Sequence, residues 1–218
     1  LYTWDDKEGK QAFWHSSAHI LAQTIKFFYP DSKLTIGPSI ENGFYYDVDF
    51  GDESISEKDF QKLESKFLEF SRNDFKFSMK SMSKDDALDF YKKEKNEYKI
   101  ELIEALDDGT ITFCDHSDFS DLCKGGHIPS TGIVKAVKLL NIAGAYWRGD
   151  EKNNQLTRLY GISFPKQKLL TEYIELVEKA KERDHRKIGK ELELFTFSSR
   201  VGHGLPLWLP NGTELRDR

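Results

Sequence analysis

The first side chains that could do chemistry in this sequence are two histidines, His15 and His19, in the segment WHSSAH. On a helix, residues four apart share one face with Cβ atoms roughly 6 Å apart, so both imidazoles can reach one small ligand. Zinc proteases with this spacing place a glutamate after the first histidine as general base, whereas Ser16 follows His15 here. The pair therefore indicates a shared site, but not that of such a protease.

A second pair with the same spacing, Cys123 and His127, lies in the segment DLCKGGH. The glycines between them, Gly125 and Gly126, indicate a loop whose backbone can approach a ligand closely. If this loop meets the first pair, three imidazoles and a thiol converge, and such a set could bind zinc. The same set could instead orient a water while the thiol and the backbone donate hydrogen bonds. The residue types leave both chemistries open, as well as two unrelated pieces of core.

Other polar side chains are weaker candidates. Asp121 lies two residues before Cys123 and could orient an amine or a histidine. Cys114 and His116 supply another thiol and imidazole, and we expect them to pack in a strand and a loop. For the others, an exposed helix position or a cross-strand position in a hairpin is the simpler expectation. These are Lys99, Tyr45, Tyr46 and Asp47.

The elements that must position these residues follow from hydrophobic periodicity. Apolar residues at helical spacing predict a helix from about Lys10 to Tyr29, ended by Pro30. Asn42-Gly43 supplies the positive φ angles of a type I′ turn, so residues 33–50 predict a β-hairpin. Capping-type spacings from Ser54 and Ser56 predict the start of a second long helix.

The middle of the chain predicts two more helices, at 83–93 and 96–106, and strands at 75–82, 111–115, 135–147 and 156–164. The fold class is therefore α+β, an antiparallel sheet with packed helices. After Pro165 we expect one helix of about 28 residues with a basic end. The last residues predict a strand, a turn at Asn211-Gly212 and the first turn of a helix, as in a truncated chain.

Composition excludes several classes of protein. Of 218 residues, 38% are hydrophobic and 32% are charged, which is typical of an ordinary folded domain. The sequence contains neither an apolar run long enough to cross a bilayer nor a secretory signal, so we expect no membrane partner. Two cysteines in so long a chain favour a reducing, cytoplasmic location. With a net charge of −5, any contact with RNA must be local.

Five blocks in this order resemble bacterial-type threonyl-tRNA synthetases: HSSAHILAQTIKFFYP, IGPSIENGFYYDVDF, DLCKGGH, AGAYWRGDEKNNQLTRLYG and RDHRKIGKELELF. The resemblance implies an editing domain of the threonyl/alanyl type at 1–162, a helical linker at 163–190 and the truncated start of a class II catalytic domain at 191–218. It also implies that ATP, Mg and Zn serve the parent enzyme in a catalytic core that this chain lacks. The chain should therefore not charge tRNA by itself.

The resemblance implies hydrolysis of mischarged seryl-tRNA(Thr). Serine differs from threonine by one methyl group, worth roughly 1 to 3 kcal/mol of discrimination, so a second, hydrolytic site must remove the error. In the implied pocket, His15 and Lys99 would place the attacking water, while Asp121 and Cys123 would contact the seryl amine and hydroxyl. The other implied pocket residues are His19 and His127, which would position the terminal ribose or the ester, and Tyr46, which would support the site.

For this pocket the resemblance implies no metal ion, although alanyl-type editing modules with similar elements bind zinc. It also implies the acceptor end of tRNA(Thr) as partner, a monomeric fragment and a homodimeric parent enzyme. Local cations for RNA would be Arg148, Arg158 and a cluster from Arg183 to Lys190, although a solvated helix face is the simpler role for most of them. Three departures stand out, because Ser17, Lys124 and Gly126 replace a frequent cysteine, arginine and proline. The last of these could loosen the loop around Cys123.

Two alternatives remain beside this reading. The first is a zinc-dependent editing module of the alanyl type. The blocks AGAYWRGD and RDHRKIGK argue against it. The second is a tRNA-binding structural module without catalysis, against which the complete set of polar pocket residues speaks.

Overall fold

The computed structural model describes residues 2–198, 200, 202 and 204–218. The chain divides into two compact units, Leu1–Leu170 and Thr171–Arg218. The functional boundaries at 162 and 190 stay a prediction. None of the helices in the described ranges is long and apolar enough to cross a membrane.

The secondary structure is a mixture of helices and antiparallel strands, which confirms the predicted α+β class. The helices are α1 (Lys7–Phe28), α2 (Phe60–Arg72), α3 (Lys84–Lys93), α4 (Glu97–Glu104), α5 (Gln167–Glu182), α6 (His185–Glu191) and α7 (Pro210–Asp217). The strands are β1 (Lys33–Leu34), β2 (Ser39–Ile40), β3 (Gly43–Asp49), β4 (Ser78–Ser81), β5 (Thr112–His116), β6 (Phe119–Leu122), β7 (Ala136–Tyr146), β8 (Gln155–Phe164), β9 (Phe195–Phe197) and β10 (Pro206–Trp208).

The larger sheet has the order β1-β3-β8-β7, and β2 also pairs with β3. On β3, Phe44, Tyr46 and Val48 alternate with outward residues and are at most 1% exposed, so one face of the strand is core. Helix α1 packs against β3 and presents Ile20, Leu21 and other fully buried residues. Two hydrogen bonds pin this helix to β8, from Trp14 Nε1 to the Ser163 carbonyl (3.0 Å) and from Ser163 Oγ to Ser17 Oγ (2.7 Å).

The predicted hairpin is present, but its predicted turn is wrong. Ile40 pairs with Gly43, so the two loop residues are Glu41 and Asn42. Gly43 has a φ of +116°, whereas Asn42 is not in the left-handed region that a type I′ turn requires. The glycine is needed because a Cβ there would lie 2.4 Å from the Gly161 carbonyl oxygen of β8. Pairing across the sheet therefore outweighs the local turn preference.

The smaller sheet, in the order β4-β5-β6, packs with α3 and α4. Its core consists of fully or nearly fully buried side chains of α3, α4 and β5. These are Ala87, Tyr91, Ile103, Ile111 and Phe113. Helix α3 begins at an N-cap, Ser83, whose side chain accepts from the backbone N–H of Asp86. This sheet carries Asp121 and leads into the loop that holds Cys123.

Two predictions for the end of the chain are wrong. The single long helix is two helices, because Asp184 accepts a hydrogen bond from Arg186 N (2.8 Å) and caps a new helix, α6. Asn211-Gly212 is not a turn but lies within α7, behind Pro210 in the first turn. A Cβ on Gly212 would lie 1.9 Å from the Leu194 carbonyl oxygen, so this glycine permits close packing rather than a turn.

Candidate active site

The structure brings the two sequence pairs together around one sulfur atom. The Cys123 Sγ lies 3.0 Å from His15 Nε2, 3.4 Å from His19 Nε2 and 3.3 Å from His127 Nε2. His15 and His19 come from consecutive turns of α1, while Cys123 follows β6 and His127 ends the loop. The rings of His15 and His127 are stacked, with centroids 4.9 Å apart. We call these four residues the His–Cys cluster.

The loop from Cys123 to His127 takes its shape from two glycines. Gly125 and Gly126 have φ angles of +99° and +86°, a region that other residues rarely adopt. Gly125 N donates to the Cys123 Sγ at 3.4 Å, and Ile128 N donates to Ser16 Oγ of α1 at 3.0 Å. These contacts hold the loop against α1. Glycine is favoured at position 126 because the loop needs a positive φ angle there.

Hydrogen bonds around Cys123 define a direction of proton donation when all groups are neutral. His15 Nδ1 lies 3.4 Å from the Gly37 carbonyl, which can only accept, so Nε2 accepts from the Cys123 thiol. His127 Nε2 then donates to the Cys123 sulfur, and His127 Nδ1 accepts from the Cys114 thiol at 3.7 Å. The resulting order of donation is Cys114, His127, Cys123, His15 and the Gly37 carbonyl. Cys114, expected only to pack, is part of this network.

Burial keeps the cluster uncharged near neutral pH. It lowers the pKa of His15, lowers that of His19 well below its ordinary value, and lowers that of His127 to about 4. Burial also raises the pKa of the Cys123 and Cys114 thiols. The imidazoles are therefore available as bases and hydrogen-bond partners, and Cys123 is a thiol rather than a thiolate.

Asp121 is the centre of a second, ionic group beside the cluster. Its Oδ1 lies 2.6 Å from Lys99 Nζ and accepts from Tyr91 Oη at 3.0 Å. Its Oδ2 accepts from Tyr46 Oη at 2.7 Å and lies 3.7 Å from His19 Nδ1. All five side chains are nearly fully buried. The expectation of an exposed helical position for Lys99 is wrong, because the lysine is 3% exposed and paired.

The start of helix α4 fixes the position of Lys99. Asn96 caps the helix by accepting from Lys99 N at 3.2 Å. The same side chain donates from Nδ2 to the Leu34 carbonyl of β1 at 2.8 Å. One asparagine therefore starts α4 and ties it to the larger sheet, which directs Lys99 toward Asp121.

A cavity of about 600 Å³ opens beside both groups. Its polar wall includes His15, His19, Tyr46, Lys99, Asp121 and Cys123, and its apolar wall includes Ile36, Pro38, Leu102, Leu106 and Leu122. His127 is not among the lining residues and instead stacks on Phe77, with centroids 5.4 Å apart. The cavity combines a broad apolar surface with a few convergent polar groups, as small-molecule sites do.

Sequence reasoning missed two residues of this site. Tyr91 contacts Asp121 from α3, and the sequence placed it only within the helix predicted at 83–93. Gly37 faces the ring of Tyr46 so closely that a Cβ would lie 2.3 Å from Tyr46 Cδ2. The only available signal for Gly37 was its place in Ile-Gly-Pro, before the hairpin.

Other candidates lie outside the site. Asp47 forms a bidentate pair with Arg158 (2.6 and 2.7 Å), and the Arg158 guanidinium lies 3.9 Å from the centre of the Tyr45 ring. Arg148 pairs with Glu101 at 2.9 Å. The two arginines expected to be available to RNA are therefore already bound to carboxylates.

His116 is also outside the His–Cys cluster. It is 1% exposed and lies between Phe77 and Phe119, with ring centroids 4.9 and 5.3 Å away. Neither of its ring nitrogens has a hydrogen-bond partner among the described residues. It therefore packs as a core residue, as expected.

The His–Cys cluster fits a zinc ion by donor type and spacing. Its four ligand atoms all lie within 4.8 Å of one another. A tetrahedral site with Zn–S of about 2.3 Å and Zn–N of about 2.0 Å separates sulfur from nitrogen by about 3.5 Å, and the three separations here are 3.0 to 3.4 Å. Geometry therefore accommodates both a metal ion and a metal-free hydrogen-bonded cluster, and the absence of metal stays a prediction.

Comparison with known proteins places this site in context. Residues 111–160 match the family described as "Threonyl and Alanyl tRNA synthetase second additional domain", a stretch that contains Asp121, Cys123 and His127. All 218 residues align with threonine–tRNA ligases, at 66% identity to that of Flavobacterium psychrophilum, 66% to that of Flavobacterium johnsoniae and 56% to that of Cytophaga hutchinsonii.

The alignments cover 100% of this chain but only 33%, 33% and 34% of the three relatives. The chain thus spans about a third of the length of the curated relatives that it matches. The predicted resemblance is confirmed, and the chain corresponds over its whole length to the N-terminal region of bacterial threonine–tRNA ligases, including their second additional domain.

Proposed function

We propose that this chain hydrolyses the serine ester of mischarged tRNA(Thr) and so provides the editing step of a threonine–tRNA ligase. The observation that carries the proposal is the shared cavity, in which neutral His15 and the Lys99–Asp121 pair face the same space. The relatives, which are named threonine–tRNA ligases, make the acceptor end of tRNA(Thr) the fitting partner. A cytoplasmic location and a monomeric state belong to the same proposal.

The cavity suits a small amino-acid ester attached to a larger ligand. Asp121 is buried and carries a negative charge toward which an α-ammonium group can point. Its Oδ1 binds both Lys99 and Tyr91, whereas Oδ2 accepts a hydrogen bond from Tyr46 and lies 3.7 Å from His19 Nδ1. Cys123 borders the same space and can bind the seryl hydroxyl through its sulfur. An added methyl group, as in threonine, would have to fit between these groups and the apolar wall.

The reaction is hydrolysis by water. His15 Nε2 exchanges its hydrogen bond from the Cys123 thiol for one from the water and removes a proton from that water, whose oxygen attacks the carbonyl carbon of the ester. The bond from this carbon to the ribose oxygen then breaks, and the leaving ribose oxygen takes up the proton that His15 removed from the water, which returns His15 to its neutral form. Lys99 orients the water and the developing oxyanion through its ammonium group. The products are free serine and tRNA(Thr).

His19 and His127 differ in how they can contribute. His19 borders the cavity and can contact the ester or the terminal ribose. His127 is set back from the cavity, so we assign it to holding the Cys123 sulfur rather than to contacting the substrate. Tyr46 donates to Asp121 and supports the carboxylate from within the cavity wall.

The test is a deacylation assay of the chain with seryl-tRNA(Thr) and threonyl-tRNA(Thr). We expect hydrolysis of the serine ester, little hydrolysis of the threonine ester, and a loss of about 10²- to 10⁴-fold for His15→Ala. The matched control is His185→Ala, because the His185 side chain is 81% exposed and lies in the other unit. Equal persistence of seryl-tRNA with and without the protein would contradict the proposal and favour a tRNA-binding structural module.

A second candidate, a zinc-dependent form of the same hydrolysis as in alanyl-type modules, is supported by the three-nitrogen, one-sulfur cluster. In that form His15, His19, Cys123 and His127 would hold the ion, and the metal would supply an activated water. The hydrogen bonds that already join the Cys123 sulfur to His15 and His127 support the metal-free form.

A further inference from the structure

We infer that Tyr91 is a positioning residue of the editing site and acts on the substrate through Asp121. This inference rests on the proposed function for its kinetic consequence, whereas the geometry that carries it is independent of the reaction. Tyr91 belongs to α3, which contributes no residue to the cavity wall, so its hydroxyl affects the site only through the groups it binds.

One hydroxyl group makes two hydrogen bonds to neighbouring residues of β6. Tyr91 Oη donates to Asp121 Oδ1 at 3.0 Å and accepts from Leu122 N at 2.8 Å. The first bond holds the carboxylate, and the second holds the backbone between Asp121 and Cys123. Tyr91 therefore sets the relative placement of the two residues proposed to contact the seryl amine and hydroxyl.

The second bond satisfies a backbone N–H, that of Leu122, for which the sheet offers no partner strand. β6 is an edge strand, since the order is β4-β5-β6. Cys123 N donates to the Thr112 carbonyl of β5, so the preceding N–H, that of Leu122, points away from the sheet. A buried or half-buried N–H needs an acceptor, and the Tyr91 hydroxyl takes the place of a further strand. The end of β6, from which the Cys123 loop departs, is thereby secured.

The first bond determines which carboxylate oxygen remains for the substrate. Lys99 and Tyr91 both bind Oδ1, whereas Tyr46 binds Oδ2, the oxygen nearest to His19. Without the Tyr91 hydroxyl, Lys99 alone holds Oδ1, so the carboxylate can rotate and change the direction in which Oδ2 meets an ammonium group. Burial raises the pKa of Tyr91 well above its ordinary value, so the hydroxyl keeps the proton that it donates.

The ring of Tyr91 is held independently of its hydroxyl. It stacks on Phe113 with centroids 5.7 Å apart and packs in the core of the smaller sheet with Ala87, Ile103 and Ile111. Tyr91→Phe therefore removes the two hydrogen bonds and leaves the apolar packing in place. This substitution isolates the positioning role.

The experiment is a double-mutant cycle of Tyr91→Phe and Asp121→Asn, read by single-turnover hydrolysis of seryl-tRNA(Thr). We expect Tyr91→Phe alone to lower the rate by about 10-fold or more, because small misplacements of binding groups are costly. In the Asp121→Asn background the same change should cost several-fold less, because only its effect on the Leu122 backbone remains and coupled residues are not additive. A residue that only stabilised the fold would show the same loss in both backgrounds.

The matched control is Tyr98→Phe, which also removes a hydroxyl bound to a carboxylate, that of Asp49 at 2.7 Å, but outside the cavity. Tyr98→Phe should leave the rate of each background unchanged, with either aspartate or asparagine at position 121. No loss for Tyr91→Phe, or an equal loss with aspartate and asparagine at position 121, overturns the inference and leaves the proposed function intact.

A second readout does not depend on hydrolysis. The dissociation constant of a seryl-adenosine analogue with an amide in place of the ester is measured over the same cycle, together with amide exchange of Leu122. We expect Tyr91→Phe to weaken binding by about 10-fold only when Asp121 is present, and to accelerate exchange at Leu122. If the unmodified chain hydrolyses no seryl-tRNA, the proposed function fails, and unchanged exchange at Leu122 separately overturns the positioning role.

Discussion

Lys99 Nζ lies 2.6 Å from Asp121 Oδ1, and both side chains are at most 4% exposed. Removing either charge leaves the other buried without a full counter-charge, whereas removing both avoids that penalty. The tyrosine hydroxyls of Tyr46 and Tyr91 complete the surroundings of the carboxylate but supply no charge. The two residues that we assign to the reaction, Lys99 and Asp121, are therefore also needed as a pair for the stability of the fold.

This arrangement makes a stability prediction for Lys99→Met. We expect a loss of about 3 to 5 kcal/mol in the free energy of unfolding, as for other broken buried pairs. Adding Asp121→Asn should recover part of this loss, because the unpaired charge is then gone. Urea unfolding of the unmodified chain, Lys99→Met and the double variant measures both effects.

The control is Lys33→Met, which breaks the Lys33–Glu97 pair at 2.7 Å between side chains that are 33% and 53% exposed. Such a pair contributes about 1 kcal/mol or less. If Lys99→Met is no more destabilising than this surface change, the Lys99–Asp121 pair does not have the importance that its burial indicates.

Gly37→Ala should disturb the site through Tyr46. The new Cβ would lie 2.3 Å from Tyr46 Cδ2, and this ring is 1% exposed and cannot move outward. We expect a destabilisation of about 1 to 3 kcal/mol, typical of overpacking, with slower hydrolysis because the Tyr46–Asp121 bond is displaced. Thermal unfolding and the deacylation rate measure the two effects.

Gly144→Ala is the matched control, since the three atoms nearest its Cβ would all belong to the flexible Gln155 side chain, with Nε2 at 2.7 Å. We expect this variant to keep the rate of the unmodified chain. Equal behaviour of the two alanine variants would show that Tyr46 has room that the structure does not indicate.

The burial of His116 predicts that the folded chain loses stability in acid. Burial lowers its pKa from 6.5 to about 4 in the folded chain. Between these values the unfolded chain binds the proton more readily, so stability falls as the pH falls from about 6.5 to about 4 and is unaffected by this residue above that range. His116→Phe should reduce the acid loss by on the order of 2 kcal/mol.

The measurement is the difference in the free energy of unfolding between pH 7 and pH 4.5, so that any change in baseline stability cancels. His127, whose pKa burial also lowers to about 4, is still present and keeps part of the acid loss. His185→Phe, in an exposed position, serves as control. An unchanged acid slope in His116→Phe would mean that His116 is protonated as easily in the folded chain as in the unfolded one.

Much of the site could be predicted because its parts follow local rules. The spacing of His15 and His19 fixes their common face on any helix, and the glycines after Cys123 indicate a loop that can fold back. The sequence did not reveal that Lys99 is buried, because the pattern of α4 is compatible with an exposed lysine and only contact with β6 excludes water.

The errors have a common physical cause, which is that long-range packing outweighs local preference. Asn42-Gly43 and Asn211-Gly212 both suggested turns, but in each case the glycine permits close approach to a carbonyl oxygen, of Gly161 or Leu194. Tyr91 was missed for the same reason, since its two partners lie on a strand about 30 residues further along the chain. Asp184 is the reverse case, where a local capping preference interrupts a helix that periodicity had extended.

The His–Cys cluster leads to the last prediction, on metal removal. Zinc would require the Cys123 thiol to lose its proton and would replace the hydrogen bond to His15 Nε2. Because burial raises the pKa of this thiol and the hydrogen bonds with His15 and His127 already satisfy it, we expect a metal-free cluster. Chain purified without chelator should contain far less than one zinc per molecule by elemental analysis, and chelator should leave the deacylation rate unchanged. Stoichiometric zinc that His19→Ala abolishes, with hydrolysis lost on chelation and restored by zinc, would instead establish the zinc-dependent form.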